Sequence, residues 1–319
     1  MIERELVIIG AGPAGMAAAI GAQNAGVKDI LLLERDQHLG GILNQCIHPG
    51  FGLHHFKEDL TGPEYADRFI KQIKEIKDIE ISMKSMVVKL THEKIVTYLK
   101  SGKMEEIKAR ALIMSTGCRE RTREMIHIAG TRPAGIYPAG LAQKMINIEG
   151  LLPGKDVVII GSGDIGLIMA RRFTLEGAKV RAVIEIQKES RGLVRNVVQC
   201  LEDFEIPLYF RHRVAKIYGK DRVEKVLVEN LDGGQTFELP CDTVLISVGL
   251  IPENELIEMA GVEIDKSTNC PVAKETNVCS LPGIFVCGNA YKVYDLVDWV
   301  TKDSVKAGEM AAKYLKGNL

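Results

Sequence analysis

Aromatic residues are scarce in this chain of 319 residues: Phe, Trp and Tyr together supply 5% of it, and a single residue is tryptophan. Such a sequence has few rings on which the bases of a single-stranded nucleic acid could stack. An excess of charge is also absent, because 41 Lys and Arg residues face 42 Asp and Glu residues. This balance gives no electrostatic attraction to nucleic acid or to an anionic membrane surface. Hydrophobic residues make up 46% of the chain, which excludes a disordered protein, and the length suggests about two domains of roughly 150 residues.

The seven cysteines form no C-x-x-C pair, their number is odd, and their spacing is irregular. Neither a disulfide framework nor a zinc site is therefore indicated, and we expect no metal. Reduced thiols in a cytoplasmic protein account best for most of the cysteines.

An uncharged stretch from residue 6 to residue 22 could be mistaken for a signal or membrane segment. Several glycines interrupt it, and two glutamates precede it. Acidic residues are the wrong flank for a signal peptide, and the glycines suit a turn better than a spanning helix. We expect no membrane span in this chain.

The chain repeats itself at a separation of 151 residues, because segment 5–36 aligns without a gap with segment 156–187. The coinciding residues are Gly10 with Gly161, Gly12 with Gly163, Gly15 with Gly166, Gly26 with Gly177, and Glu34 with Glu185. This period is too long for a solenoid and implies two copies of one domain plan.

Each copy predicts a strand, a glycine turn, a helix and a second strand. The elements are residues 6–9, 14–24 and 30–33 in the first copy, and residues 157–160, 165–176 and 180–184 in the second. The strand segments are short apolar runs, which are typical of parallel strands buried on both faces. Gly26 and Gly177 stand where a left-handed residue should end each helix. The predicted fold class is α/β, with two Rossmann-like three-layer domains.

The glycine turn of each copy points to a specific chemistry. The glycines let the backbone turn tightly and approach a pyrophosphate, and the following helix directs free N–H groups and its positive dipole end at the phosphates. Glu34 and Glu185 stand 24 residues beyond the first glycine, where a carboxylate accepts hydrogen bonds from ribose hydroxyls. The pattern predicts two dinucleotide sites. The alternative is that one copy, more readily the second, binds no ligand.

Glu185 also bears on the choice of nucleotide. A carboxylate at this position repels a 2′-phosphate, so NAD(H) is expected to be preferred to NADP(H). Lys188, Arg191 and Arg195 follow closely, and a basic residue there could accept that phosphate. The other interpretation of these cations is a solvated surface helix.

Small residues end two further apolar strands, at Ser115-Thr116-Gly117 and at Gly249. After the second copy the chain returns to the plan of the first, with a strand that leads into Gly288-Asn289 and a helix at 297–315. These marks indicate that the second domain is inserted into the first. The predicted domains are 1–118 with 245–319 for the first, and 119–244 for the second.

These motifs resemble those of the two-dinucleotide-binding-domain flavoproteins of the pyridine nucleotide-disulfide oxidoreductase superfamily, and in length the chain resembles the short thioredoxin-reductase branch. The resemblance covers essentially the whole chain. Its main points are GAGPAG at 10–15, ERDQHLGGIL at 34–43, STG at 115–117, GSGDIG at 161–166, SVGLIPE at 247–253 and GIFVCGNA at 283–290. The resemblance implies FAD in the first domain, NAD(P)H in the second, and hydride transfer from the nicotinamide to the flavin.

The resemblance also implies which residues bind the cofactors. For FAD they would be Gly10, Gly12, Pro13, Ala14, Gly15, Glu34, Arg35, Gly41, Ile42, Leu43, Val87, Thr116, Gly117, Gly288, Asn289 and Val300. For NAD(H) they would be Gly161, Gly163, Asp164, Ile165, Gly166, Glu185 and Gly249. Val87 would present its backbone to the adenine from a strand at 79–90, and Val300 would lie near the pyrimidine edge of the flavin.

The chain departs from the family pattern in its cysteines. The thioredoxin reductases carry a redox C-x-x-C pair in the nucleotide domain, but the matching residues 133–138 contain no cysteine. The larger disulfide reductases carry theirs just after the Gly-Gly pair, where this chain has the single thiol of Cys46. Because two thiols are needed to pass two electrons by exchange, we expect no disulfide reduction by an internal dithiol.

Three single residues leave alternatives open. Cys46 stands two residues before His48, which could make it a reactive thiolate, although a small buried residue beside the flavin is the favoured interpretation. Asn289 replaces the usual aspartate of the family and would still hydrogen-bond the ribityl chain, without the charge. Trp299 either shields the flavin or packs ordinarily.

The sequence thus predicts an FAD-dependent NADH:acceptor oxidoreductase. Without a dithiol, its electrons must leave by direct contact, to oxygen, to a quinone or dye, or to a protein partner. The GGILNQCIH stretch at 40–48 also resembles small flavoprotein subunits that accompany larger FAD dehydrogenases for glycerol 3-phosphate, opines or amino acids, and this role is favoured. The alternatives are a self-contained NADH oxidase and a non-enzymatic flavin-bearing subunit. The oligomeric state is left open.

Overall fold

Two units share the chain in the computed structural model, which describes residues 1–275 and 277–318. One unit comprises Met1–Arg119 and Ile251–Leu319, and the other comprises Glu120–Leu250. The chain therefore leaves the first unit once and returns to it once. Within the described ranges, no helix is both long enough and apolar enough to cross a bilayer.

The α-helices of the described chain alternate with strands in both units. They are α1 (Pro13–Asn24), α2 (Gly62–Glu75), α3 (Ala139–Asn147), α4 (Asp164–Leu175), α5 (Val194–Cys200), α6 (Glu255–Met259) and α7 (Val297–Leu315). Shorter 3-10 turns are Gly41–Gln45, Glu124–Ile126, Glu202–Phe204 and Gly288–Ala290.

A nine-stranded sheet forms the centre of the first unit. In its parallel part, Leu6 lies opposite Ala111 on one side and Ile30 on the other. The order along the sheet is Ala273–Glu275, Val278–Cys279, Ile284–Val286, Lys103–Met114, Ile2–Ile9, Ile30–Leu33 and Ile79–Ser82, and the hairpin strands Ser85–Leu90 and Ile95–Lys100 continue from Lys103–Met114. Short strand pairs elsewhere in the unit are Pro49–Phe51 with Leu60–Thr61 and Ile264–Asp265 with Cys270–Pro271.

Both faces of this sheet are buried, because alternate side chains of one strand enter different cores. Leu6 and Ile8 pack with residues of α1, α2 and α7. Val7 and Ile9 pack on the other face, with Val96 of the hairpin among their partners. A strand covered on both sides must be apolar throughout, which explains the uninterrupted hydrophobic run at its end.

A five-stranded parallel sheet forms the centre of the second unit. Its order is Ile136–Pro138, Thr243–Ile246, Asp156–Ile160, Lys179–Glu185 and Leu208–Phe210. A four-stranded sheet follows the order Ala129–Gly130, His212–Gly219, Val223–Asn230 and Thr236–Pro240. Val157 and Ile159 pack with α3 and α4, whereas Val158 and Ile160 pack against the four-stranded sheet, so this unit is layered as well. The remaining strands, Cys118–Glu120 and Leu250–Pro252, lie where the chain passes between the units.

The predicted α/β plan of strand, turn, helix and strand is confirmed in both units. The helices α1 and α4 each begin one residue earlier than predicted, at Pro13 and Asp164. Gly26 and Gly177 adopt the expected left-handed backbone beyond these helices.

One predicted element is wrong, because residues 79–90 do not form a single strand. Ile79–Ser82 pairs in parallel with Ile30–Leu33, whereas Ser85–Leu90 pairs antiparallel with Ile95–Lys100. Between them Lys84 has a φ of 53°, a left-handed conformation that breaks the extended chain. Val87 therefore belongs to the hairpin.

Candidate functional site

The strand Ile2–Ile9 ends in a turn with no room for a side chain. Gly10 has a φ of +101°, and a Cβ placed on it would lie 2.6 Å from the backbone oxygen of Ser115. The Ser115 hydroxyl lies 2.8 Å from the carbonyl oxygen of Ile9 and 2.9 Å from that of Gly10, and it donates to these oxygens. The turn is held against the neighbouring strand, and only glycine fits its first position.

The helix α1 begins directly after this turn, and no side chain caps its N-terminus. Its N-cap residue is Gly12, and Pro13 occupies the first helical position. The N–H groups of the first turn and the helix dipole together favour an anion at this end. A Cβ on Gly12 would meet nothing nearer than the Gly41 Cα at 4.0 Å, so a pyrophosphate can approach the backbone here.

Glu34 follows the second strand of the plan and is 7% exposed. Its Oε2 accepts the N–H of Ala11 at 2.7 Å, and its Oε1 accepts the N–H of Asp36 at 2.8 Å. A carboxylate has about four lone-pair positions, so each oxygen can accept a further donor such as a ribose hydroxyl. The neighbouring Arg35 is exposed, and its contact with FAD stays a prediction.

The region expected to hold the flavin brings three distant segments together. A Cβ on Gly288 would lie 2.6 Å from the Cβ of Ala14 and 3.3 Å from the Cγ1 of Val300. Ala14 belongs to α1, Gly288 to a 3-10 turn after the strand Ile284–Val286, and Val300 to the first turn of α7. Residues that line one cofactor must lie close together, as these three segments do.

The Gly41–Gln45 turn packs beside the glycine turn. A Cβ on Gly41 would lie 3.0 Å from the Cα of Gly12. Leu43 is buried, whereas Ile42 is 60% exposed. A large apolar side chain presented beside the glycine turn fits a site in which a planar ring system would cover it.

Asp303 is a residue of this region that the sequence analysis missed. Its buried carboxylate accepts the N–H of Gly288 at 2.9 Å through Oδ2 and the side-chain amide of Asn277 at 2.9 Å through Oδ1. It thereby anchors the Gly288 turn to α7. The available signal was spacing, since Asp303 stands three residues after Val300 and four before Ala307, on the apolar face of the predicted helix.

Asn289 uses its side chain within the protein. Its Oδ1 accepts the N–H of Tyr294 at 3.1 Å, and its Nδ2 lies 3.5 Å from the Sγ of Cys118. These contacts hold the turn that follows Gly288. A hydrogen bond from Asn289 to a ribityl chain stays a prediction.

Three other FAD-site candidates differ in their surroundings. The Thr116 hydroxyl donates to the carbonyl oxygen of Glu253 at 2.7 Å, which fixes the chain after the strand Lys103–Met114. Gly117, the next residue, has open space where a Cβ would lie. Val87 is buried in the hairpin, and its predicted backbone contact with adenine is not tested by this geometry.

Cys46 is buried, and its Sγ donates to the carbonyl oxygen of Ile42 at 3.3 Å. Burial raises the pKa of this thiol to about 12. Because the thiolate is the reactive form of cysteine, this environment favours the small buried residue over the redox-active thiol.

The second unit repeats the geometry of the first. A Cβ on Gly161 would overlap the backbone oxygen of Ser247, and α4 begins after Gly163 without a side-chain cap. Glu185, which is 5% exposed, accepts the N–H of Ser162 through Oε2 and that of Gln187 through Oε1, each at 2.9 Å. These donors stand 151 residues beyond the two that hold Glu34, so both carboxylates are fixed by equivalent backbone groups.

Asp164 gives the second turn a feature that the first turn lacks. Its Oδ1 accepts the N–H of Leu193 at 2.8 Å and the side-chain amide of Asn196 at 2.7 Å. The carboxylate thus ties the segment before α5 to the start of α4. Contacts of Asp164 and of the exposed Ile165 with a nucleotide stay predictions.

The remaining candidates of the second unit differ in their exposure to solvent. Gly249 has a φ of +99° and no atom nearer to its Cβ position than the Arg121 Nε at 3.9 Å. Lys188, Arg191 and Arg195 are exposed, as either interpretation of these cations requires. Gly166 is buried, and a Cβ on it would lie 2.6 Å from the backbone oxygen of Gly161.

Both glycine turns, each with the glutamate that follows it, fit the cofactors that the sequence implies. Each combines an uncapped helix N-terminus for a pyrophosphate with a buried carboxylate for a ribose. Among the described residues, no three His, Cys, Asp or Glu side chains are grouped so that they could hold a metal ion.

Comparison with known proteins agrees with this geometry. The model of the pyridine nucleotide-disulphide oxidoreductase family matches residues 4–304. The chain belongs to this family of FAD- and NAD(P)H-dependent oxidoreductases.

Two curated relatives and one solved structure illustrate the likeness. The thioredoxin reductase of Spironucleus barkhanus is 24% identical over 317 residues, which cover 97% of this chain and 95% of that protein. An opine oxidase subunit of Agrobacterium tumefaciens (strain Ach5) is 25% identical over 316 residues, which cover 89% of this chain and 61% of that protein. The crystal structure of T. acidophilum thioredoxin reductase matches with a TM-score of 0.79 and 22% identity, over 99% of both chains. The structural match shows the shared two-domain Rossmann fold.

Proposed function

We propose that this protein is an FAD-dependent oxidoreductase that oxidises NADH in preference to NADPH and passes the electrons to a protein partner without an internal dithiol. The observation that carries the proposal is the duplicated carboxylate. Glu34 and Glu185 are buried at the ends of equivalent strands, and each accepts N–H groups from equivalent backbone positions. Such a pair supports two ribose-bearing cofactors on one chain.

The residues of the first unit bind and orient FAD in this proposal. The first turn of α1 would hold the pyrophosphate, Glu34 would bind a ribose, and Ile42 and Val300 would contact the flavin. When bound, FAD supplies an acceptor for the hydride of NADH and a donor for the next carrier. The chain contributes position and electrostatics, and this half-reaction requires no general acid or base from it.

The residues of the second unit select the nucleotide. The first turn of α4 takes the pyrophosphate of NADH, and Glu185 takes its ribose hydroxyls. A 2′-phosphate would meet a carboxylate that is buried and already fixed by backbone N–H groups, and charge repulsion then disfavours NADPH.

The cysteines support electron transfer without a dithiol. None of the seven belongs to a C-x-x-C pair. Burial is the largest cause that raises the pKa of Cys279 and of Cys287 to about 12, as it does for Cys46. Thiols in this state are poor nucleophiles at neutral pH, so disulfide exchange by these three cysteines is disfavoured.

The likeness to a component of a larger enzyme supports a protein partner. The opine oxidase subunit is, by its name, one part of an assembly, and 89% of this chain aligns with it. The overall reaction balances as NADH, one proton and an oxidised two-electron acceptor giving NAD⁺ and the reduced acceptor.

An anaerobic titration tests the proposal. We expect about one equivalent of NADH per bound FAD to bleach the visible flavin absorbance, and NADPH at the same concentration to act at least about tenfold more slowly, which corresponds to about 1.4 kcal/mol of discrimination. The Arg191→Ala and Arg195→Ala variants serve as controls, and their preference for NADH should be unchanged.

Each other outcome has a definite meaning. A colourless protein that takes up no flavin contradicts the proposal as a whole. Faster bleaching by NADPH, lost in the arginine variants, contradicts the role given to Glu185. Flavin that NADH cannot bleach favours a non-enzymatic subunit, and steady oxygen uptake without a partner favours a self-contained NADH oxidase.

A further inference from the structure

A groove lies on the first unit between the loop at residues 52–57 and the helix α7. Its volume is about 540 Å³. We call it the α7 groove and define it by His54, His55, Lys57, Trp299, Lys302 and Lys306, which line it. The cofactor chemistry proposed above makes no use of these side chains.

Buried hydrogen bonds connect the two walls of the α7 groove. Asp298, buried at the start of α7, accepts the N–H of His55 at 2.8 Å and that of Gly52 at 3.3 Å. One turn away, the hydroxyl groups of Thr301 and Tyr65 are hydrogen-bonded at 2.7 Å. Buried polar contacts of this kind hold the loop on the helix, so the groove has a defined shape.

Trp299, the sole tryptophan, is 41% exposed at the rim of the groove. The His54 ring stacks on it with centroids 5.2 Å apart, and the Lys302 Nζ lies 5.7 Å from the centre of the indole. Tryptophan is one of the residue types enriched among the few side chains that carry most of the binding energy of a protein interface.

The charge of the groove is locally positive on a chain whose formal net charge is −1. Lys57, Lys302 and Lys306 form no ion pair within the described part of the chain. Two acids also line the groove: Asp298, which is buried and bonded to two amides, and Glu309. Ammonium groups that no carboxylate of the described chain neutralises attract an acidic surface and speed its approach.

The groove lies next to the expected flavin position. Trp299 and Val300 are consecutive residues in the first turn of α7, and the Val300 Cγ1 would lie 3.3 Å from a Cβ on Gly288, in the region expected to hold the flavin. One helical turn therefore contributes its inner side to the cofactor site and its outer side to the groove.

We propose that the α7 groove is the docking face for an acidic surface of the partner protein that takes electrons from the flavin. This inference rests on the proposed function. With one-electron carriers, the reaction is NADH plus two oxidised carriers giving NAD⁺, one proton and two reduced carriers.

Stopped-flow kinetics with two cytochromes of opposite charge test the docking face. The FAD-loaded protein is reduced with dithionite, freed of excess reductant, and mixed anaerobically with acidic cytochrome b5 or basic cytochrome c. We expect the rate with cytochrome b5 to fall as ionic strength rises, and to fall at least tenfold in the Lys302→Glu/Lys306→Glu variant. The rate with cytochrome c should rise in that variant, because the sign of the groove is reversed.

Matched variants separate the groove from the net charge. The Lys89→Glu/Lys108→Glu variant makes the same charge change at exposed residues that do not line the groove, and its rates should stay within about twofold of the original. Trp299→Ala should slow cytochrome b5 without altering the salt dependence, and Trp299→Phe should restore most of the rate. If the glutamate pair loses FAD, Lys302→Gln/Lys306→Gln is used instead, with a smaller decrease expected.

Three results would overturn the docking proposal. One is a cytochrome b5 rate that the groove variants leave unchanged, and another is an equal decrease in the control pair. The third is a dimer that Trp299→Ala dissociates, which would assign the groove to a second copy of the chain. Because dithionite rather than NADH reduces the flavin, this test does not depend on the NADH step. If NADH cannot reduce the protein but electron transfer to cytochrome b5 still depends on Lys302 and Lys306, the docking proposal stands and the proposed function is refuted.

Discussion

Cys46 shows how burial decides the chemistry of a single residue. It lies just after the Gly41–Gln45 turn, and a Cβ on Gly62 would lie 2.8 Å from the Cys46 Cβ. In this packed environment the pKa of the thiol rises to about 12, because no solvent stabilises the thiolate. Proximity to His48 in the sequence had offered a lowered pKa as an alternative, but burial shifts the pKa of Cys46 upwards.

A pH profile of alkylation checks this residue. At constant iodoacetamide, the labelling rate of Cys46 in the native protein should rise about tenfold per pH unit from pH 7 to pH 9 without a plateau, since the whole range lies below the pKa. Mass spectrometry measures the rate, and Cys270, which is partly exposed, serves as the internal comparison. The Cys46→Ser variant should keep the rate of flavin reduction by NADH within about twofold. A plateau near neutral pH, or loss of reduction in the serine variant, would restore the reactive thiol.

At the scale of elements, the close packing of α1 against α7 shapes the cofactor site. A Cβ on Gly308 of α7 would overlap the backbone oxygen of Ala18 and lie 2.6 Å from the backbone nitrogen of Ala22. A Cβ on Gly21 of α1 would lie 2.5 Å from the backbone oxygen of Val305. Glycines at both positions let the two backbones touch. The helices that bear Ala14 and Val300 are thereby held together.

The Gly308→Ala variant tests this contact. Alanine favours a helix over glycine by about 1 kcal/mol, but overpacking against backbone atoms costs about 1–3 kcal/mol, so a net loss of stability is expected. We expect a lower urea midpoint and weaker retention of FAD, measured by equilibrium unfolding and by flavin fluorescence. Lys313→Ala, on the exposed side of the same helix, is the control and should change neither. A midpoint equal to or above the original would show that the backbones have room to separate.

At the scale of the whole molecule, the second unit is an insertion whose two ends meet. The carbonyl oxygen of Gly117 accepts the N–H of Glu253 at 3.0 Å, so the chain leaves and re-enters the first unit at neighbouring points. The first unit has its own sheet and its own buried cores. This arrangement suggests that each cofactor belongs to one unit.

Excision of the insertion tests that assignment. Replacing residues 120–250 with a short Gly-Ser linker should leave a protein that binds FAD, and dithionite should still reduce it. NADH should fail to reduce it at a measurable rate, because the cradle with Glu185 is gone. Absorbance spectra under anaerobic conditions measure both reactions, with the full chain as reference. Reduction by NADH in the shortened protein would place the nucleotide site in the first unit.

Much of the fold and part of the site could be predicted from the sequence, because their signals are local. Each glycine turn and the glutamate that follows it lie within about 30 residues of chain. Over that length, apolar periodicity and glycine spacing can be recognised in the sequence. The break at Lys84 escaped prediction, since a lysine carries no turn signal of its own and its backbone is set by two different strand pairings.

The duplicated α/β plan, the two glycine turns and the absence of a C-x-x-C pair follow from short segments of the sequence. The folded chain was needed to show that Ala14 and Val300 both approach Gly288, that Asp303 anchors the Gly288 turn, and that Cys46 is buried. The α7 groove likewise joins a loop near residue 54 to a helix near residue 300. The two groups of features differ in the range of their interactions. Turns and helix starts depend on neighbouring residues, whereas burial and contacts between distant segments depend on how the whole unit packs.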